Sequence, residues 1–314
     1  MGSQRSKNDR LTREEILLKI LNSSISFLRK LGFSIWDFDP DLIMEKVFEE
    51  HDLDDLGDER FLESIEAFNK NYQKVDMTPA GDFAVRFMLR NICLNRLKIE
   101  DYVKKNPQIT QQKITQPIFV IGLPRNGTSL LQNVLTQRKK YRGLHLWEMA
   151  TPYPLDDDPV VDKEKKIQRI EAALELVKFA SPRIMTAHEL KLDSIQECWL
   201  LMINTLSIIN EDWWTALHEW NGWIAGQDRT WVYEEYKRLL QINCATTVDD
   251  ADYLVLKCPT HLWAMDYLAK IFPNAKFVWI HRNPIKSVVS FSSLKRMIRS
   301  VFYDKIDPIE VGKE

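Results

Sequence analysis

Pro117-Ile118-Phe119-Val120-Ile121-Gly122-Leu123-Pro124-Arg125-Asn126-Gly127-Thr128-Ser129-Leu130-Leu131 reads as an apolar strand, a Gly-bounded loop and the start of a helix. That succession makes a phosphate cradle. Gly122 and Gly127 let backbone N–H groups turn inward, and the helix opening near Gly127 offers unpaired N–H groups and the positive end of its dipole to an anion. A loop that grips a nucleoside triphosphate reads G-x-x-x-x-G-K followed by Ser or Thr. Here Gly127 is followed by Thr128-Ser129, so the lysine that reaches the β- and γ-phosphates is missing and the loop suits a shorter anion.

A second pair of elements lies far downstream. Tyr253-Leu254-Val255-Leu256-Lys257-Cys258-Pro259 reads as a strand ending in a lysine, and a helix is expected from about His261 to Ile271. Phe277-Val278-Trp279-Ile280-His281 is again a β-rich apolar run. Arg282-Asn283-Pro284 closes it with an N-cap asparagine and a proline preset for a first helical turn. Ser290 falls two turns into that helix. An arginine at a strand's carboxyl end and a serine near the helix start can converge on one phosphate, in the crevice where open α/β sheets bind ligands.

Together these segments resemble the sulfotransferases that use 3′-phosphoadenosine 5′-phosphosulfate (PAPS). The likeness is to the broad branch whose 5′ loop reads P-R-x-G-T followed by Ser or Thr and which includes the tyrosylprotein sulfotransferases. Pro124-Arg125-Asn126-Gly127-Thr128-Ser129 matches that loop, and Arg282 with Ser290 matches the 3′-phosphate pair, an Arg followed eight positions later by Ser. Residues 256–263 and 271–277 also look like family sequence, and the likeness extends from about Pro117 to Arg299. The resemblance implies an α/β fold with a P-loop-like parallel sheet flanked by helices. It further implies PAPS as donor, adenosine 3′,5′-bisphosphate (PAP) as product, and no metal requirement.

Sulfuryl transfer needs a base for the acceptor, positive charge on the migrating group and stabilisation of the departing phosphate. Arg125 and Lys257 can supply the charge; the plain alternative for Lys257 is a surface lysine capping a sheet edge. Glu148, after an expected short strand at Gly143-Leu144-His145-Leu146-Trp147, is the first candidate base, and related enzymes place a catalytic glutamate at a similar distance beyond the loop arginine. Its alternatives are a helix N-terminal glutamate or a partner of Arg142. His188 resembles a family position at the acceptor site, although a single histidine on a polar segment is commonly a surface side chain. His261 is expected to cap or pack its helix, and Cys258-Pro259 after the lysine argues against a histidine base directly following it.

Trp199, Trp213, Trp214, Trp220, Trp223 and Trp231 lie between the two anion motifs. They suit either aromatic walls for a lipophilic or aromatic small-molecule acceptor or a packed helical core. The acidic run Asp156-Asp157-Asp158 reads as a solvated loop.

With 314 residues, 45% hydrophobic and 28% charged, the chain can bury a substantial core, and a net charge of -2 carries no nucleic-acid signature. Residues 1–112 are expected to form a helical N-terminal region and residues 113–314 the α/β core. An amphipathic helix over residues 12–31 opens with a capping box at Thr12 and Glu15, and Thr78-Pro79 opens another through Arg96.

Four scattered cysteines and no long apolar run suit a reduced, cytoplasmic protein without stable membrane insertion. Met1-Gly2-Ser3-Gln4-Arg5-Ser6 fits an N-myristoylation pattern at Gly2, which would give only reversible attachment. Family members continue past the 3′-phosphate helix, so the core is expected to be C-terminally incomplete, which leaves a catalytically weak PAPS- or PAP-binding relative as one alternative. A P-loop kinase or NTPase is the other; the missing lysine and the His281-Arg282 end of the last strand, where an Asp would hold Mg²⁺, count against it.

Overall fold

The computed structural model describes residues 12–33, 39–180, 191–208, 218–247 and 249–313. Four strands, β1 (Gln116–Ile121), β2 (Tyr141–Arg142), β3 (Tyr253–Lys257) and β4 (Lys276–Trp279), form one parallel sheet in the order β2-β3-β1-β4. β1 and β3 are central and buried, which is why both read as near-continuous apolar runs. In register, Val120 lies beside Lys257 and Ile121 beside Trp279, so the loop after β1 leaves the sheet at the level where β3 and β4 end.

Among the described residues four α-helices precede the sheet: α1 (Arg13–Lys30), α2 (Pro40–His51), α3 (Arg60–Tyr72) and α4 (Pro79–Lys105). α1 carries the expected capping box, with Thr12 Oγ1 accepting from the Glu15 N–H and Glu15 accepting from the Thr12 N–H. α4 opens on the expected Thr78 cap but runs past Arg96, because the first breaker it meets is Pro107. After β1 come α5 (Thr128–Leu135), α6 (Leu146–Ala150), α7 (Pro159–Ala180), α8 (Trp199–Met202), α9 (His218–Ala225) and α10 (Thr230–Thr246). The chain ends through α11 (Met265–Ile271), α12 (Pro284–Arg299) and α13 (Pro308–Lys313).

Two local readings are corrected, and one strand is more exposed than its composition suggests. The short strand expected at residues 143–147 is β2, two residues earlier, and Leu146 already opens a helix. The helix expected from His261 begins as a 3₁₀ turn, Pro259–Ala264, before α11. β4 is an exposed edge strand although its sequence is apolar.

One hydrophobic core runs through the helical and α/β parts alike, joining Ile43, Phe61, Phe68 and Leu89 to Phe119, Tyr236, Leu256 and Phe272. Trp220 packs edge-on against Phe68 at 5.5 Å and stacks on Trp223 at 5.0 Å. Trp220 and Trp231 are therefore core residues, Trp199 and Trp223 pack partly buried against them, and Trp213 and Trp214 lie outside the described residues. Beneath this core the buried Arg96 guanidinium faces Glu100 and Glu235, which both also pair with Arg238. This cluster ties α4 to α10.

Candidate functional site

The loop leaves β1 at Gly122, where an added Cβ would stand 3.0 Å from the Ile280 carbonyl oxygen and 3.0 Å from the Thr128 methyl, so only glycine lets β1 approach the end of β4 this closely. Arg125 adopts a left-handed backbone (φ 67°), uncommon for a side chain of its size, and Gly127 follows it into that region (φ 95°) as the N-cap of α5. Gly127 brings no capping side chain, which leaves the first-turn N–H groups of α5 available to an anion.

What holds Arg125 in that conformation comes from the far side of the crevice. Arg282 Nη1 donates to the Arg125 carbonyl oxygen at 2.7 Å, and Arg125 Nε donates to Ser290 Oγ at 3.1 Å. Asn126 Nδ2 donates to the Ile280 carbonyl at 3.2 Å, while its Oδ1 accepts from the buried Ser287 hydroxyl. α12 is set in place by Asn283, whose Oδ1 accepts the Ile285 N–H at 3.0 Å, and by Pro284 in its first turn. The structure thus brings Arg125, Arg282 and Ser290, which are 157 and 165 positions from the loop in sequence, into one hydrogen-bonded group. Arg125 and Arg282 are exposed, and among the described residues neither is neutralised by a carboxylate. Pro124, Thr128 and Ser129 complete the loop, with Thr128 buried and Ser129 exposed.

Lys257 closes β3 and is 1% exposed. Its ammonium pairs with Glu197 Oε1. The backbone fixes this pair, because the Cys198 N–H donates to the Lys257 carbonyl at 3.0 Å. Glu197, which holds this lysine, is a residue that sequence reasoning did not single out. Its partner lies 60 positions away and no short motif marks it; the only local hint is an acidic residue set just before an apolar run. His261 is fully buried and does what the sequence led us to expect, packing against Phe119 with its ring nitrogens facing Tyr233 Oη at 3.1 Å and Cys198 Sγ at 3.4 Å. The neighbouring Cys258 thiol is pushed well above its ordinary pKa, first by burial, then by Cys198 and by the Glu197 charge.

Glu148 occupies both of the plain positions left open for it. Its Oε2 accepts the His145 N–H at 2.6 Å at the start of α6, and its Oε1 pairs with Arg142 and accepts from Thr247 at 3.3 Å and Asn243 at 3.4 Å. His188 lies outside the described residues.

The sequence model of the Sulfotransferase family matches residues 117–311, a span that begins inside β1 and takes in the loop, β3, β4 and α12. The chain belongs to the sulfotransferase family. Among solved structures, this sulfotransferase is similar to the sulfotransferase STF1 from Mycobacterium tuberculosis, at 26% identity and a TM-score of 0.75 over 88% of this chain and 76% of that one. It also shares its fold with the sulfotransferase STF9 from Mycobacterium avium, at 23% identity and a TM-score of 0.77 over 88% of this chain and 72% of that one. No curated protein matches the chain.

Proposed function

We propose that the chain transfers a sulfuryl group from PAPS to the hydroxyl, or amine, of a lipophilic or aromatic small molecule. The observation that carries this reading is the hydrogen-bonded group of Arg125, Arg282 and Ser290 at the carboxyl ends of β1 and β4, two exposed guanidinium groups without carboxylate partners among the described residues, beside an uncapped helix start. A nucleotide with separate anionic groups at its 5′ and 3′ ends suits that arrangement. The loop Pro124 to Ser129 would take the 5′-phosphosulfate, and Arg282 with Ser290 the 3′-phosphate.

In this reading the first-turn N–H groups of α5 and the Arg125 guanidinium hold the sulfated phosphate. Lys257, at the end of the adjacent strand, moves its ammonium toward the bridging oxygen as charge gathers there. Glu148 keeps the edge of the site in place through Arg142 and the start of α6, because both its oxygens are already engaged. The aromatic or lipophilic acceptor rests on the Trp-rich composition of the segment between the two anion motifs, in which Trp199 and Trp223 are only partly buried against the core. Free cysteines among the described residues support a reducing, cytoplasmic setting, and no described helix is long and apolar enough to cross a membrane.

The test is transfer from ³⁵S-labelled PAPS to a panel of phenols, sterols, alcohols and tyrosine peptides, with and without excess EDTA. Labelled product at an unchanged rate in EDTA is the expected result, since side-chain cations take the role that Mg²⁺ has in phosphoryl transfer. Mg²⁺-dependent phosphate release from ATP would overturn it in favour of a kinase-like enzyme. PAP binding without any transfer would leave a nucleotide-binding relative.

A further inference from the structure

We propose that Glu197 is the base that takes the acceptor's proton, and that its ion pair with Lys257 ties release of the carboxylate to arrival of the donor. The inference rests on the sulfuryl-transfer reading above and names a residue for its missing step.

Glu197 Oε1 is paired with the Lys257 ammonium, while Oε2 is buried without a hydrogen-bond partner among the described residues. Buried acceptors almost always find a donor, so an open carboxylate oxygen beside a cation at the end of a central strand marks a place where a donor arrives from outside the protein. An acceptor hydroxyl is such a donor. The carboxylate's place is fixed by the chain, since Cys198 bonds through N–H and Sγ to the Lys257 carbonyl, at 3.0 and 3.3 Å, and Gln196 N–H bonds to the Leu144 carbonyl at 2.9 Å. Glu148 has no such opening. Each of its oxygens accepts from the protein and a guanidinium sits against one of them, which leaves neither open to an incoming hydroxyl.

The acceptor's O–H proton passes to Glu197 Oε2 as its oxygen bonds to sulfur. The bond between sulfur and the bridging oxygen breaks, and its electron pair stays on the 5′-phosphate of PAP, where the Lys257 ammonium meets it. The proton leaves Glu197 to solvent when the products go. While Lys257 holds Glu197, one carboxylate oxygen is taken up by the ammonium; once Lys257 turns to the phosphosulfate, both oxygens are open to the acceptor. Among the described residues, the titratable groups facing this pair are Cys258, which follows β3, and Cys198, which in turn faces His261 and Tyr236.

The experiment compares the full chain with Glu197→Gln, Glu197→Asp and Glu148→Gln by three readouts. These are PAP affinity by calorimetry, melting temperature, and the pH profile of transfer from labelled PAPS to phenol and to the more acidic para-nitrophenol. Glu197→Gln is expected to lose turnover with phenol by about 10²–10⁴-fold and much less with para-nitrophenol at high pH, where solvent deprotonates the acceptor. It should bind PAP about three- to tenfold more tightly, because Lys257 no longer has to leave a carboxylate. Glu197→Asp should recover part of the rate. An active wild-type chain whose Glu197→Gln variant keeps normal turnover with phenol, or loses turnover and PAP affinity together, overturns the proposal. If the wild-type chain transfers to neither phenol, PAP affinity alone decides, and an unchanged affinity in Glu197→Gln overturns it. A wild-type chain that neither binds PAP nor uses PAPS refutes the sulfuryl-transfer reading itself.

Discussion

Glu148 is 3% exposed, and Arg142, its ion-pair partner, is partly buried. Removing one member of such a pair leaves an uncompensated charge in the interior. Glu148→Ala should therefore lower stability by about 3 kcal/mol, the lower end of the usual range because Arg142 keeps Asp249 at 2.9 Å. The urea midpoint measures it; an unchanged midpoint would mean that the pair holds nothing together. Lys257→Ala separates chemistry from binding in the opposite sense, since transfer should fall by about 10²-fold or more while PAP affinity changes far less. Comparable losses in both would make Lys257 a nucleotide anchor rather than a stabiliser of the transfer step. At this scale the sequence was readable where a residue ends a patterned run, as Lys257 ends β3. It was silent where a role depends on a contact between distant positions, as for Glu197 and for Asn243 and Thr247, which engage Glu148 from α10 and the residue after it.

The strand, loop and helix unit from β1 to α5 depends on two glycines for different reasons. Gly122 lacks room for a side chain and Gly127 lacks strain-free alternatives, since its φ of 95° is unfavourable for any residue with a Cβ although the space around it is open. Gly127→Ala should cost about 1–2 kcal/mol of stability. Gly122→Val pushes β1 away from the Ile280 carbonyl and should weaken PAP binding more than Gly127→Ala does; calorimetry on both variants would show the order, and equal affinities would contradict it. β1 and β3 were legible because central parallel strands read as unbroken apolar runs. β4 was legible as a strand but not as an exposed edge, because its apolar sequence matches that of a covered strand. β2 was misplaced because two residues carry no period, and α4 was cut short because nothing before Pro107 signals where it stops.

Across the molecule, one core holds thiols and phenols that are almost fully buried. Burial pushes the Cys93 thiol up to about 12, and burial is also the first cause of the raised pKa values of Cys258, Tyr233 and Tyr236. Cys198 moves the other way, since the Cys258 hydrogen bond and the His261 charge outweigh its burial. A raised native pKa means that the folded state keeps a proton the unfolded chain gives up. The associated stability is complete below the unfolded values, roughly 8.5 for Cys and 10 for Tyr, and is lost above them at about 1.4 kcal/mol per pH unit for each group. The urea midpoint should accordingly fall between about pH 8 and pH 10.5, Cys198 offsetting part of the slope, and a flat or rising midpoint would contradict this. The class of the fold and the two anion motifs were legible in the chain because strand, loop and helix chemistry is local. The burial of Arg96 with its two glutamates was not, because it joins α4 to α10 across the core. The claim on which the rest depends is that Arg282 and Ser290 read a 3′-phosphate while the loop after β1 holds the 5′ end. Calorimetry of the purified chain with PAP and with 5′-AMP tests it most directly. PAP should bind about tenfold or more tightly than 5′-AMP, and Arg282→Glu should erase the difference; equal affinity of the unaltered chain for the two nucleotides would contradict it.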